Sequence, residues 1–154
     1  MRLEQNPQLD KAGLTQLSML LRYLDEDEVA VPFTQDDYAL LQGNRGLLVV
    51  VTTEGNDEFD GVVAGEMVAC GIVNIVQIGR GRFAKIDDIV TDPRARGHYI
   101  GTYVMRMLMS YAERYGVKRI ELTCSEKHAA AIPMYLGLGF KEYETDVFRY
   151  DMCR

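Results

Sequence analysis

Leu14, Leu17, Leu21 and Leu24 recur at helical spacing, with Leu20 widening the stripe, and predict an amphipathic helix over residues 11–25. The acidic run Asp25-Glu26-Asp27-Glu28 reads as a solvated helix end or loop. A short second helix is expected from Thr34 to Leu41, with Thr34 as N-cap and Asp36 and Asp37 in its first turn. Gly43-Asn44-Arg45-Gly46 breaks the chain before Leu47 to Thr53, a β-branched apolar run that predicts a strand. The polar residues Glu54 to Asp60 read as a loop. Val62 to Ile78 is rich in Val and Ile but interrupted by Gly65 and Gly71, which predicts one or two strands with a bend or bulge. Gly79 to Arg82 is a turn, and Ala84 to Thr91 a further strand ended by Asp92-Pro93.

The strongest periodicity lies beyond that strand. Ile100, Tyr103, Val104, Met107, Leu108, Tyr111, Ala112 and Tyr115 follow one helical face until Gly116 closes it. Arg119 to Ser125 alternates, with Ile120, Leu122 and Cys124 on one face, so a strand is expected with Cys124 packed. A short helix over about residues 127–136 and a last strand near Val147 to Met152 complete the pattern. The strand–helix–strand unit over 84–125 implies a right-handed crossover and two parallel strands. The whole reads as one domain, a mixed α/β sheet with helices on its faces.

Composition narrows the function classes. A 154-residue chain with 47% hydrophobic residues has enough apolar material for a core without disulfide or metal staples. A net charge of -6 argues against nucleic-acid binding, which calls for a basic stripe, and is compatible with a cationic substrate. Cys70, Cys124 and Cys153 show no CxxC spacing, and two histidines are too few for a zinc site, so no metal is expected. No apolar stretch reaches the length of a membrane span and the first residues lack an apolar signal core, which points to a cytoplasmic location.

Candidate chemistry concentrates in Asp92-Pro93-Arg94-Ala95-Arg96-Gly97-His98-Tyr99-Ile100-Gly101-Thr102, which leaves a strand and enters the most periodic helix. The first N–H groups of a helix lack intrahelical partners and the macrodipole is positive there, so a loop that curls N–H groups around one point makes an anion nest. Glycines allow close approach of the backbone to phosphate, and arginine adds charge. A plain strand-to-helix turn with solubilising arginines is the alternative. There is no G-x-x-x-x-G-K-[ST] sequence, and the loop is not a G-x-G-x-x-G dinucleotide fingerprint.

This loop resembles the Q/R-x-x-G-x-G/A signature of the GNAT superfamily of acyl-CoA-dependent N-acetyltransferases, with Arg96 in the first position and Gly101 in the last. Tyr99 departs from it, standing where that family usually has glycine. Downstream, His128 to Phe140 is similar to the family's N-x-x-A-x-x-x-Y-x-x-x-G-F segment: Ala131, Tyr135, Gly139 and Phe140 agree, and His128 replaces the usual Asn or Arg. The resemblance implies a mixed central sheet, mostly antiparallel with a central parallel strand pair and flanked by helices. It also implies that acetyl-CoA is the cosubstrate and that the acetyl group passes to a primary amine by direct attack in a ternary complex. Ile89, Val90 and Thr91 would hydrogen-bond the pantetheine arm, and Arg96, Gly97, His98, Tyr99, Ile100, Gly101 and Thr102 would hold the pyrophosphate.

Tyr135 matches the position that protonates the departing thiolate, and an unperturbed tyrosine is protonated at neutral pH, as an acid must be. Packing against Ile132 and Leu136 is its alternative role. Asp87 and Asp88 are unusual in an apolar strand; Asp87 stands where many family members carry glutamate and is the candidate base, with a water relay or a structural aspartate as alternatives. Cys124 and His128 lack an orienting third group, and a packed thiol is the simpler reading. The expected partner is a small-molecule amine, with neither nucleic acid nor membrane, and a homodimer is left open. The rival function is a non-catalytic GNAT-like module that binds CoA or serves as a partner subunit.

Overall fold

A computed structural model describes residues 1–24, 32–55, 59–150 and 152. The acidic run at 25–28, and Cys153 with it, lies outside the described residues. Two compact units divide the chain, Met1–Thr123 and Cys124–Arg154.

In the first unit the expected helices form where capping chemistry starts them. Asp10 accepts the Gly13 N–H at 2.8 Å and opens α1, Lys11–Leu21, which tightens into a 3-10 turn at Arg22–Leu24 rather than continuing as α-helix. Thr34 caps α2, Gln35–Gly43, and Asp37 returns the bond to the Thr34 N–H at 2.8 Å, a reciprocal capping box. The strands are β1 (Arg2–Gln5), β2 (Gly46–Thr52), β3 (Met67–Ile78), β4 (Gly81–Thr91) and β5 (Ile120–Glu121). They lie side by side in chain order, antiparallel except for the final pair, in which Ala84 and Lys85 of β4 face Ile120 and Glu121. Between β4 and β5 runs α3, Ile100–Arg114. No helix among the described residues is long and apolar enough to cross a membrane.

Both faces of the sheet are covered, which is why Leu47 to Val51 is buried without interruption instead of alternating. On one face Leu48, Val50, Cys70, Ile72 and Val90 pack with Leu17, Leu20 and Tyr38 of α1 and α2. On the other, α3 lies against β2, β3 and β4 through an apolar stripe of Ile100, Val104, Met105, Leu108 and Ala112. Gly71 is required there: a Cβ at that position would come within 2.5 Å of Ile89 and 2.8 Å of Val104. The β3–β4 register shifts beside it: the single residue Gly71, between Cys70 and Ile72, faces both Asp88 and Ile89, so the bulge lies in β4, opposite Gly71, and not in the strand where Gly71 led us to expect it.

Three expectations are corrected. The N-terminal strand β1 was not anticipated, because a four-residue edge strand with one apolar residue, Leu3, carries no alternation to detect. The strand expected over 119–125 is only Ile120–Glu121, so its alternation does not carry Cys124 into the sheet; Cys124 is exposed. The last strand near 147–152 is not formed among the described residues there, and Val147, Phe148 and Tyr150 are exposed. Apolar alternation makes a strand only where a neighbour receives its N–H and C=O groups.

In the second unit the helix expected over 127–136 splits into a 3-10 segment, Glu126–Ala131, and α4, Ile132–Gly137, with Pro133 in its first turn. Gly139 follows α4 at φ 91°, and the Phe140 N–H donates back to the Tyr135 carbonyl at 3.1 Å.

Candidate active site

The site begins where β4 loses its neighbour. Pairing with β5 stops at Lys85, so from Ile86 to Thr91 that edge of β4 has no strand partner among the described residues of the first unit. Its backbone N–H and C=O groups on that side are placed to pair with an extended amide-bearing ligand. The side chains along it are committed to packing: Val90 is in the core, and Ile89 covers Gly71.

Asp88 interrupts the strand. Its φ is 53°, in the left-handed region that a non-glycine residue rarely occupies, and it falls within the stretch where the register skips from Ile72–Asp87 to Cys70–Val90. Simple alternation of Asp87 and Asp88 is therefore broken by the bulge. Asp87 forms an ion pair with Lys85 at 3.2 Å. The carboxyl whose pKa is raised is Asp88, by the desolvation of the protein packed around it first and then by the neighbouring Asp87 charge, although the residue itself is exposed, which limits the shift. The buried Cys70 thiol donates to the Asp88 carbonyl at 3.8 Å, and burial pushes that thiol well above its ordinary range.

Beyond β4 the chain turns through Asp92, the 3-10 turn Pro93–Ala95, and Arg96 in extended conformation. Gly97 has φ 83°, and a Cβ there would meet open space, so its need for glycine is conformational. Tyr99 is the N-cap of α3 at φ 59° and ψ 14°, left-handed and 83% exposed. It takes the backbone angle for which glycine is the ordinary residue, at a cost of roughly 1–2 kcal/mol. The first intrahelical bond runs from the Tyr103 N–H to the Tyr99 carbonyl at 3.0 Å. The N–H groups of Ile100, Gly101 and Thr102 precede it and lie at the positive end of a 15-residue helix. His98 and Tyr99 are exposed beside them, and the Ile100 side chain is buried beneath.

The two arginines of the turn have different tasks. Arg96 donates through Nε to the Thr91 carbonyl at 3.1 Å, and that is its only side-chain hydrogen bond among the described residues. Arg94 is consumed by protein acceptors: Nε and Nη2 hold Asp92 at 3.0 and 2.7 Å, Nη1 donates to the Gly61 carbonyl at 2.7 Å, and Nη2 also holds Glu66. Asp92 is 3% exposed, and its hydrogen bond from Arg94 keeps its carboxyl below the usual range. The sequence reading missed this cluster; its signal was Asp-Pro-Arg, an aspartate capping a turn that proline starts.

In the second unit, Tyr135 sits partly buried on α4 with its ring 6.2 Å from that of Phe140. Burial, and then Cys124, raises its pKa. Cys124 donates to the carbonyls of Ser125 and His128 at 3.6 and 3.5 Å, contacts that cap a turn and do not activate a thiol.

This combination of an open strand edge, a glycine turn and a helix N-terminus has counterparts. The profile of the acetyltransferase (GNAT) family matches residues 17–140. An uncharacterized N-acetyltransferase of Methanocaldococcus jannaschii is 36% identical over 77 residues, 50% of this chain and 34% of that protein. A mycothiol acetyltransferase of Brachybacterium faecium is 33% identical over 66 residues, 43% of this chain and 20% of that protein. The matched stretches thus cover about a third and a fifth of these curated relatives. Among solved structures, an acetyltransferase of Trypanosoma brucei superposes with a TM-score of 0.73 at 24% identity, covering 98% of this chain and 100% of the other. An aminoglycoside acetyltransferase from an uncultured soil metagenomic sample superposes with a TM-score of 0.74 at 16% identity, covering 99% and 96%. At these identities the superpositions establish a shared fold. With the family profile matching well over half of its length, the chain belongs to the acetyltransferase (GNAT) family.

Proposed function

We propose that this protein is an acyl-CoA-dependent N-acetyltransferase that moves the acetyl group of acetyl-CoA to a primary amine of a small molecule, by direct attack in a ternary complex. The observation that carries this reading is the continuity from the edge of β4 beyond β5, through the left-handed turn at Gly97 and Tyr99, to the N–H groups of Ile100, Gly101 and Thr102, which precede the first intrahelical bond. An extended pantetheine needs a peptide-like edge, and a pyrophosphate needs converging N–H donors; here they follow one another along the chain. Arg96 adds positive charge, with its terminal nitrogens uncommitted among the described residues.

In this reading, Ile89, Val90 and Thr91 bind through backbone groups, and Arg96 to Thr102 hold the pyrophosphate. Most of the rate comes from holding amine and thioester in alignment. Tyr135 donates a proton to the departing thiolate; its raised pKa keeps it protonated at neutral pH. Of the two strand carboxylates, Asp88 is the stronger candidate for taking the amine's proton, since its raised pKa moves toward that of a useful base while Asp87 is ion-paired with Lys85. Asp87, the first expectation, then acts on Asp88 through its charge. A small-molecule acceptor is supported by the shared fold with a glucosamine-6-phosphate N-acetyltransferase of Arabidopsis thaliana (TM-score 0.69, 19% identity, covering 97% of this chain and 99% of the other). The net charge of -6 is compatible with a cationic acceptor. We further propose that the whole chain works as one domain in the cytoplasm.

The experiment is a panel of amines, amino sugars and aminoglycosides among them, assayed with acetyl-CoA by thiol release. Turnover of at least one amine is expected. Tight acetyl-CoA binding with no turnover of any amine would favour a non-catalytic CoA-binding module.

A further inference from the structure

Residues 59–66, in the connection between β2 and β3, lean on the cofactor turn at two points that bracket Arg96 and Gly97. Before them, Arg94 reaches across from the turn to the Gly61 carbonyl at 2.7 Å and to Glu66 Oε1. After them, the His98 ring meets the edge of the buried Phe59 ring at a centroid distance of 5.0 Å. The segment is itself tied together: Glu66 Oε2 accepts the Val63 N–H at 3.1 Å. The buried Thr53 hydroxyl donates to the Val63 carbonyl at 2.6 Å and accepts the Glu66 N–H at 3.1 Å. The Gly65 N–H donates to the Thr53 carbonyl at 3.0 Å.

We propose that Arg94 is a positioning residue that latches residues 59–66 onto the cofactor turn, so that CoA bound at Arg96 to Thr102 and the order of that segment depend on one another. A guanidinium has five N–H donors, and those of Arg94 are directed at Asp92, Glu66 and Gly61. Its single positive charge is paired with two carboxylates, Glu66 and Asp92. Arg94 therefore acts on the turn from behind, while Arg96, with its terminal nitrogens uncommitted among the described residues, faces the anion. A ligand that fixes the backbone between residues 94 and 98 fixes both anchoring points. By thermodynamic reciprocity, whatever orders residues 59–66 then strengthens CoA binding. This inference rests on the proposed CoA site.

Amide hydrogen exchange of the full chain with and without saturating CoA tests both together. In the wild type, exchange at residues 97–102 should slow, which reads the CoA site itself. At Val62, Val63, Gly65 and Glu66 it should slow by about fivefold or more. In Arg94→Ala and Glu66→Gln the protection at 97–102 should persist at saturating CoA, while that at 62–66 disappears. Glu66→Gln is nearly isosteric and carries the test if Arg94→Ala does not fold. Protection at 97–102 without any at 62–66 in the wild type would overturn the latch and leave the CoA site standing. Equal protection at 62–66 in wild type and variants would overturn Arg94 as its agent. No protection anywhere would overturn the CoA site and the latch with it.

Discussion

The Arg96 Nε–H donates to the carbonyl of Thr91 at 3.1 Å, so the turn that leads into α3 is fastened to the last residue of β4. One side chain thus holds the strand edge and the turn in a fixed relation, and in the proposed site its two terminal nitrogens, unbonded among the described residues, would meet the anion. Arg96→Ala should lower CoA affinity by more than about tenfold, equivalent to 1.4 kcal/mol. Calorimetric titration with CoA checks this, and unchanged affinity would return Arg96 to a purely structural role.

Tyr99 should respond in the opposite way. Glycine removes the left-handed cost of roughly 1–2 kcal/mol but adds about 0.5–1 kcal/mol of chain entropy. Tyr99→Gly should therefore stabilise the fold by up to about 1.5 kcal/mol and leave CoA binding within about tenfold, since the proposed site engages phosphate through N–H groups and not through the phenol. Tyr99→Pro should be the worst of the substitutions, since proline cannot take this φ and lacks the N–H. Thermal melts and CoA titrations of the two variants give the ordering. A hundredfold gain in affinity for Tyr99→Gly would mark the natural turn as impaired and favour the non-catalytic reading.

Tyr135→Phe should slow kcat by about 10²-fold or more while CoA affinity stays level, as expected for loss of a general acid. Steady-state kinetics with the best amine, alongside a CoA titration, separate the two quantities. An unchanged kcat would leave Tyr135 to pack against Phe140.

Much of this was legible in the chain. Thr34, Asp36 and Asp37 announced α2, the stripe from Ile100 to Ala112 announced α3, and Gly71 marked the place in β3 that the β4 bulge faces. These are local signals, set by caps, periodicity and backbone freedom. The turn into α3 was expected from Asp92-Pro93 and its glycines, and Tyr99 was singled out there because it stands where the resembled family has glycine; the structure gives it the left-handed angle glycine ordinarily takes, φ 59°. What was not legible depends on distant partners. β1 exists because β2 offers it an edge, and Arg94 is consumed because Glu66 and Gly61 arrive from 28 and 33 residues away. The strand expected to hold Cys124 had the right alternation and lacked the partner.

Asp92 makes the fold sensitive to acid. Its folded-state pKa is depressed, chiefly by the hydrogen bond from Arg94, so above the unfolded value near 3.9 the unfolded chain gains nothing by binding a proton there. Its contribution is complete from neutral pH down to about 4 and is lost as pH falls through the lower folded value. The stability gap between wild type and Asp92→Asn should therefore be constant over the neutral range and shrink only below about pH 4. Urea unfolding across pH checks it; a gap that closed near pH 6 would assign the effect to another group.

Asp88 carries the opposite sign. Its raised folded-state pKa means that the folded chain holds a proton more tightly than the unfolded one, so stability declines as pH rises from the unfolded value toward the folded value. Asp88→Asn should thus stabilise the protein at neutral pH and, if Asp88 is the base, flatten the acid limb of the kcat/KM profile. Asp87→Asn should shift that limb to lower pH without removing it, because it deletes the neighbouring charge. Limbs of equal shape in both variants and in the wild type would transfer deprotonation to water.

The most direct test of the central claim is the thermal shift produced by acetyl-CoA. At a ligand concentration 100-fold above Kd, linkage predicts about 2.7 kcal/mol of added stability in the wild type. Gly101→Glu, which sets a carboxylate at the helix N-terminus where the pyrophosphate would lie, should abolish the shift. A wild-type protein whose melting is unmoved by millimolar acetyl-CoA would contradict the assignment of this turn as its binding site.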